Sequence, residues 1–250
     1  MGIVFGRTGV DEPVFRLVAR SAKGYEVRCY PGFVTATVHE RLGPNGNSGA
    51  FRILAGYIGV TSAPKNRGAQ ALAMTAPVVQ TPTQQPPVAM AMTAPVVQTP
   101  TAGAAAASGE DFSAAVGRSY REGDMSLAFI LPSKYTEAAA CPTPLDPRVV
   151  LKAHPPRLVA CAAFTGWVTD AAVATHLAAL LGAVRSDGLR MQLAPGATAA
   201  ESSAGGEAGE APPHWQVAQY NPPFTIPWMR RNEIWVGLDV TEETAAEACT

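Results

Sequence analysis

The chain has 250 residues, 47% of them hydrophobic, and a formal net charge of -1. It is long enough to bury a core in one large domain or two small ones. The near-neutral balance excludes the basic excess of a nucleic-acid binder and the acidic excess that would draw a cationic partner. With 23 glycines and 22 prolines, loops and insertions are expected rather than long regular bundles. The four cysteines, Cys29, Cys141, Cys161 and Cys249, form no Cys-x-x-Cys pair. Free thiols in a reducing compartment are therefore expected. The start lacks a basic segment followed by an apolar one, and no run approaches a membrane span. Gly6 stands where a myristoylation motif wants Ser or Thr. The expected location is the cytoplasm.

Pro13 to Ala19 and Tyr25 to Tyr30 read as strands, the second alternating apolar and polar side chains. Pro31-Gly32 is a turn signal. The β-branched run Phe33 to His39 then reads as the returning strand of a hairpin. Gly49 to about Ile58 reads as a helix capped by Ser48. Phe51, Leu54, Ala55 and Ile58 share one face, and Ile53 and Tyr57 make a second apolar ridge. Such a helix needs cover on more than one side, from a sheet and from a loop, a partner or a flat apolar ligand.

Met-Thr-Ala-Pro-Val-Val-Gln-Thr-Pro-Thr occurs at Met74 to Thr83 and again at Met92 to Thr101. Two copies do not make a solenoid. One copy is expected in the sheet and the other in a loop or extra hairpin, and the prolines forbid a central strand throughout. Met125 to Leu131, Arg148 to Ala153 and Leu158 to Thr165 read as further strands. Thr169 or Asp170 can cap a helix to about Ser186 with a stripe of Val173, Leu177, Leu180, Leu181 and Val184, ended by Gly188. Leu189 to Leu193 is a short strand, and Trp215 to Tyr220 and Glu233 to Leu238 are the last ones. Asn221 to Asn232 between them is a proline-rich loop holding large apolar side chains.

The chain thus divides into an N-terminal extension (1–11), a single domain (12–240) with insertions near 84–124 and 194–213, and a C-terminal tail (241–250). The second insertion is low-complexity and expected to be disordered. Each half places one helix among several strands. The fold class is α+β, with an approximate internal duplication forming one compact antiparallel sheet or barrel.

Several segments carry a family resemblance. They are Glu12-Pro13 through Tyr25-Glu26-Val27-Arg28-Cys29-Tyr30, Phe51 to Gly59, and Ala73-Met74-Thr75-Ala76-Pro77-Val78. Phe129-Ile130-Leu131-Pro132, Phe164-Thr165-Gly166, Tyr220-Asn221-Pro222-Pro223 and Arg230-Arg231-Asn232-Glu233-Ile234-Trp235 complete the set. In this order, over residues 12 to 239, they resemble the SOUL heme-binding family, especially its plant and algal cytosolic members. Tandem Met-Thr-Ala-Pro-Val copies also occur in plant relatives. The resemblance implies a distorted β-barrel flanked by two helices, reversible binding of heme and related porphyrins, and tetrapyrrole carriage or buffering, with heme-metabolism proteins as possible partners. It implies no established catalytic reaction. It puts the pocket along the first helix and the loops packed near it.

Heme is flat, apolar and edged by two carboxylates, so it needs an apolar wall and a basic rim. Phe51, Leu54, Ala55, Ile58 and Met74 offer the wall. Arg52, Arg230 and Arg231 offer rim cations, and Phe224 and Trp228 could close over the porphyrin. Plain core is the alternative role for each apolar residue, and loop bracing for the two arginines. Relatives that carry a lysine in the proline loop have it where this chain reads Thr225-Ile226-Pro227. No two histidines stand at ligand spacing, and His39, ending a strand, is the axial candidate. His154, His176 and His214 are expected in a loop, at a helix boundary and after the insertion. Cys29 could ligate as thiolate, against a buried inert thiol.

Two other classes stand beside this reading. An enzyme would need Cys161 with His176, or Cys29 with His39, brought together by folding, and no hydrolase, zinc-protease or nucleotide-binding motif is present. A protein-interaction or amphipathic-ligand-sensing module would use the Pro-Pro-Phe-Thr-Ile-Pro-Trp loop and the Thr-Pro repeats.

Overall fold

The computed structural model describes residues 10–41, 48–60, 63–82, 124–193, 213–222 and 224–249. The second Met-Thr-Ala-Pro-Val copy and most of both insertions lie outside them. The elements in chain order are β1 (Arg16–Arg20), β2 (Glu26–Tyr30), β3 (Phe33–Arg41), α1 (Ser48–Ile58), β4 (Val78–Pro82) and β5 (Asp124–Ile130). They continue with β6 (Val150–His154), β7 (Arg157–Phe164), α2 (Asp170–Ser186), β8 (Trp215–Gln219), β9 (Asn232–Gly237) and α3 (Glu242–Cys249).

All nine strands join one antiparallel sheet in the order β1-β2-β7-β9-β8-β4-β5-β3-β6. The order contains the duplication: β3, α1, β4 and β5 repeat as β7, α2, β8 and β9. Each unit pairs its second strand to its third and its third to its first, and the units meet where β4 pairs β8. The expected hairpin across Pro31-Gly32 does not form. Strand β2 pairs β1 and β7, whereas β3 pairs β5 and β6. The matching link, Pro155-Pro156, likewise sends β6 to β3 and β7 to β2. The leading strands are exchanged between the halves.

That exchange curls the sheet. Strands β2 and β3 stand second and eighth, roughly 29 Å apart in a flat sheet at about 4.8 Å per strand. Two linking residues span at most about 11 Å from Tyr30 to Phe33. The sheet must therefore roll until these strands approach, which gives the distorted barrel.

Side chains sort by strand alternation. Val27 and Cys29 of β2 face a cluster under α2 and α3, with Leu158, Ala160, Ile234 and Val236. The predicted α2 stripe, Val173, Leu177, Leu180, Leu181 and Val184, fills that cluster. Thr169 caps α2 by accepting from the Ala172 amide, and Gly188 follows at φ 72°. On the other half, Val34, Ala36, Val38, Leu127 and Phe129 pack under α1. Tyr30, Phe33, Val159, Cys161, Tyr220 and Trp235 point the third way, into the barrel.

Three further expectations change. Leu189 to Leu193 makes only isolated bridges, Met191 to Leu238 and Leu193 to Pro213. The first Met-Thr-Ala-Pro-Val copy supplies β4, well inside the sheet, with Pro77 before it and Pro82 at its end. Only Val78 to Gln80 pair β8, so neither proline meets that neighbour's ladder. The C-terminal tail contains helix α3, which buries Ala245 and bonds Cys249 to Cys29 in a disulfide. Cys29 and Cys249 are thus not free thiols, because α3 docks on the outer face of β2. Cys141 and Cys161 are free and buried.

Candidate functional site

Helix α1 lies across β3 and β5 and is sealed there. Leu54, Ala55 and Ile58 are fully buried in the core, so their side chains form packing rather than open wall. The second ridge is covered by the chain's own loop: the Tyr57 hydroxyl donates to the Pro142 carbonyl at 2.8 Å. Phe51 and Met74 are half-buried at the cluster's edge, with Phe51 edge-on to Phe129 at 5.3 Å, and Arg52 is exposed. His39 is exposed on β3 opposite Ser126.

The loop between β8 and β9 presents apolar surface. Trp228 is 73% exposed, Phe224 64% and Met229 41%. A short 3-10 turn, Pro227–Met229, fixes it, and the Pro227 carbonyl accepts from the Gly166 amide at 2.9 Å. Asn232 donates back to the Gly166 carbonyl at 3.1 Å. These bonds bring Trp167, 57% exposed, beside the loop. The Arg230 guanidinium lies 3.7 Å over the Trp167 ring and its Nε donates to the Thr225 carbonyl, so Arg230 braces the loop as well as charging it. Trp167 and Met229 were not among the sequence candidates. The available signal was Phe164-Thr165-Gly166, which stands just before Trp167.

Arg231 joins this loop to the barrel interior. It stacks over Tyr220 at 3.9 Å, donates to Glu12 at 2.8 Å and donates through Nε and Nη2 to Glu233 at 2.9 and 2.8 Å. Glu233 is fully buried. It also accepts from Arg28 (3.1 Å to each oxygen), the Tyr220 hydroxyl (2.7 Å) and Trp235 Nε1 (2.8 Å). Burial pushes its pKa up, but Arg28, Trp235, Arg231 and Tyr220 outweigh that and hold it below its ordinary value. Burial, then Glu233, raises the Cys161 thiol, which leaves it a poor nucleophile.

The two cysteine–histidine pairs do not assemble. Cys161 points into the barrel while His176 stacks on Phe164 at 4.5 Å on the α2 face. Cys29 is bonded to Cys249 on the outer face under α3, and His39 belongs to the other half. Among the described residues, no group of three or more His, Cys, Asp or Glu side chains could hold a metal ion.

The profile of the SOUL heme-binding protein family matches residues 10–237. The chain belongs to the SOUL heme-binding family. No curated protein sequence matches it. Among solved structures it is similar to an uncharacterized conserved protein from Listeria innocua, 11% identical over 87% of this chain and 93% of that one, with TM-score 0.49. It is similar to the EcmrR C-terminal domain at 8% identity over 91% and 99% of the two chains, TM-score 0.47. A hydrolase from Listeria innocua is 10% identical over 88% and 94%, TM-score 0.47. The SOUL family's description is one of binding. Among the described residues, no helix is long and apolar enough to cross a membrane.

For a SOUL protein the test is whether a flat apolar macrocycle finds a matching surface. The α1 core is closed to one. The exposed surface lies instead in Trp167, Phe224, Trp228 and Met229, with Arg231 half-buried and Arg230 buried behind Trp167, so Arg230 is a brace and not an open rim cation.

Proposed function

We propose that this protein binds heme and related porphyrins reversibly, as a non-enzymatic tetrapyrrole carrier or buffer. The observation that carries the reading is the exposed aromatic loop of a SOUL-family chain, Phe224 and Trp228 beside Trp167. Those rings hold the porphyrin face, and Arg231, with part of its side chain exposed, meets a propionate. Phe51, Arg52 and Met74 at the open edge of α1 form a second wall. Leu54, Ala55 and Ile58 hold that helix in place from behind. Heme, when bound, supplies the iron and the visible chromophore, and His39 is the candidate axial ligand. A weak or exchangeable ligand suits carriage rather than redox chemistry.

The test is a titration of the purified chain with hemin and with metal-free protoporphyrin, followed by Soret absorbance and tryptophan quenching. Saturable one-to-one binding of both, weakened roughly three- to tenfold in Trp228→Ala, supports the loop site. Binding of hemin alone, lost in His39→Ala, moves the weight to axial ligation. No saturable binding of either overturns the reading. Cytosolic residence is the location proposed with it. Thiol labelling in the intact source cell checks it, because a Cys29–Cys249 pair found oxidised there would speak against a reducing compartment.

A further inference from the structure

We propose that the barrel end at the β6–β7 turn is a binding site for an oxyanion, a phosphate or a carboxylate. It lies at the opposite end of β7 from the aromatic loop and does not rest on the tetrapyrrole reading.

Arg157 opens β7, opposite Tyr30 of β2. Its guanidinium faces the barrel interior, 5.1 Å from the Phe33 ring centre and 5.8 Å from that of Trp235. Its Nη2 donates to Gln216 at 3.0 Å, while its Nε is sealed from water with no acceptor. Among the described residues no carboxylate pairs with it. A part-buried guanidinium with one neutral acceptor keeps a charge that no described carboxylate offsets.

Two imidazoles and a second cation stand near it. His154 ends β6 with Nε2 3.0 Å from the Thr35 hydroxyl and its ring stacked on Phe33 at 5.0 Å. His214 precedes β8, and Lys152 is exposed on β6. Burial, followed by Arg157, Lys152 and His214, holds His154 down to about 3. Burial, followed by Arg157 and Lys152, holds His214 down to about 4. These side chains therefore share one electrostatic neighbourhood. The groups facing it from the other strands are neutral. Thr35 and Thr37 come from β3, Tyr30 from β2, Gln216 from β8, and Thr81 of β4 accepts from Gln216 at 2.8 Å. His154, Arg157 and His214 are only half-buried, so the mouth opens to solvent.

An oxyanion meets each of these features. It offsets the Arg157 charge, accepts from the forked guanidinium and from nearby hydroxyls, and favours protonation of the two imidazoles, which then donate as well.

The experiment uses the full chain at about pH 6, following the histidine ring protons by NMR as sodium phosphate replaces sodium chloride at constant ionic strength. The His154 and His214 signals, assigned by single variants, should shift saturably while those of His39 and His176 stay. Arg157→Gln should abolish the shift. Lys152→Gln, which keeps the backbone of β6 and changes only an exposed side chain, should weaken it about two- to fivefold. A second arm adds protoporphyrin or its dimethyl ester. A shift with the diacid and not the ester assigns the anion to a ligand's propionate. A shift with phosphate, whether or not porphyrin is present, assigns a free anion. Either result supports the site. The inference fails if neither probe moves the pair, if all four histidines move together, or if Lys152→Gln leaves the phosphate affinity unchanged.

Discussion

Glu233 and Arg157 both lie inside the barrel, on strands that pair with each other, yet their surroundings are opposite. Glu233 accepts from two arginines, a tyrosine and a tryptophan. Arg157 has one amide oxygen and two aromatic rings. The first is a closed network in which each charge has its counterpart. In the second, no carboxylate among the described residues pairs with the guanidinium. The same barrel wall holds charge as structure at one end and, on the proposal above, as an anion site at the other.

Glu233→Gln gives the sharpest test of that contrast. It removes the buried charge shared by Arg28 and Arg231 and leaves them only the partly exposed Glu26 and Glu12, so a loss of about 3 kcal/mol is expected in urea unfolding. A loss below about 1 kcal/mol would make the two ends energetically alike. The next effect sits on the strand that carries Arg28. Reducing Cys29–Cys249 should lower stability by roughly 2–4 kcal/mol and release α3, read by urea unfolding with and without dithiothreitol. No change on reduction would mean that the thiols were unpaired and would return the chain to the all-thiol expectation.

The open end should also show in the pH dependence. His154 and His214 are held at about 3 and about 4 in the folded chain, below the ordinary 6.5. The unfolded chain therefore binds more protons below about pH 6.5, and stability complete above that pH falls as the solution is acidified. The slope reaches at most about 1.4 kcal/mol per pH unit for each histidine, is shallower in His154→Gln, and should flatten with phosphate present. A phosphate-independent slope would separate the histidines from the proposed anion. The smallest change is expected for Arg157→Met. It removes a cation that leaves no partner charge behind, so stability should move by less than about 1 kcal/mol. A loss above about 3 kcal/mol would show that Arg157 is as structural as Arg28 and would erase the contrast.

Much of the fold was legible because its signals are local. The α2 stripe, its Thr169 cap and its Gly188 stop depend on residues within a few positions of one another, and the helix forms as the pattern says. The strands were found for the same reason. Pairing was not, because Pro31-Gly32 serves a tight hairpin and a short link across a closing barrel equally well. The candidate site divides along the same line. Phe224 and Trp228 stood out as large apolar residues in a proline-rich loop and are exposed. Leu54, Ala55 and Ile58 carried the same apolar signal and are core. Whether an apolar side chain faces solvent depends on what lies above it, and above α1 lies a loop some eighty residues further on.

The sequence by itself determined α1, α2, the strands of the sheet, the duplication and the family, since periodicity and motif order survive without knowledge of contacts. It determined neither α3 nor the failure of Leu189 to Leu193 to form a strand. Only the tertiary structure decided which strands exchange between halves, that Cys29 meets Cys249 across 220 residues, that Trp167 joins the loop of Trp228, and that Arg157, among the described residues, lacks the carboxylate Arg28 has. Each of these depends on the path by which the sheet closes, and residue spacing along the chain does not encode it.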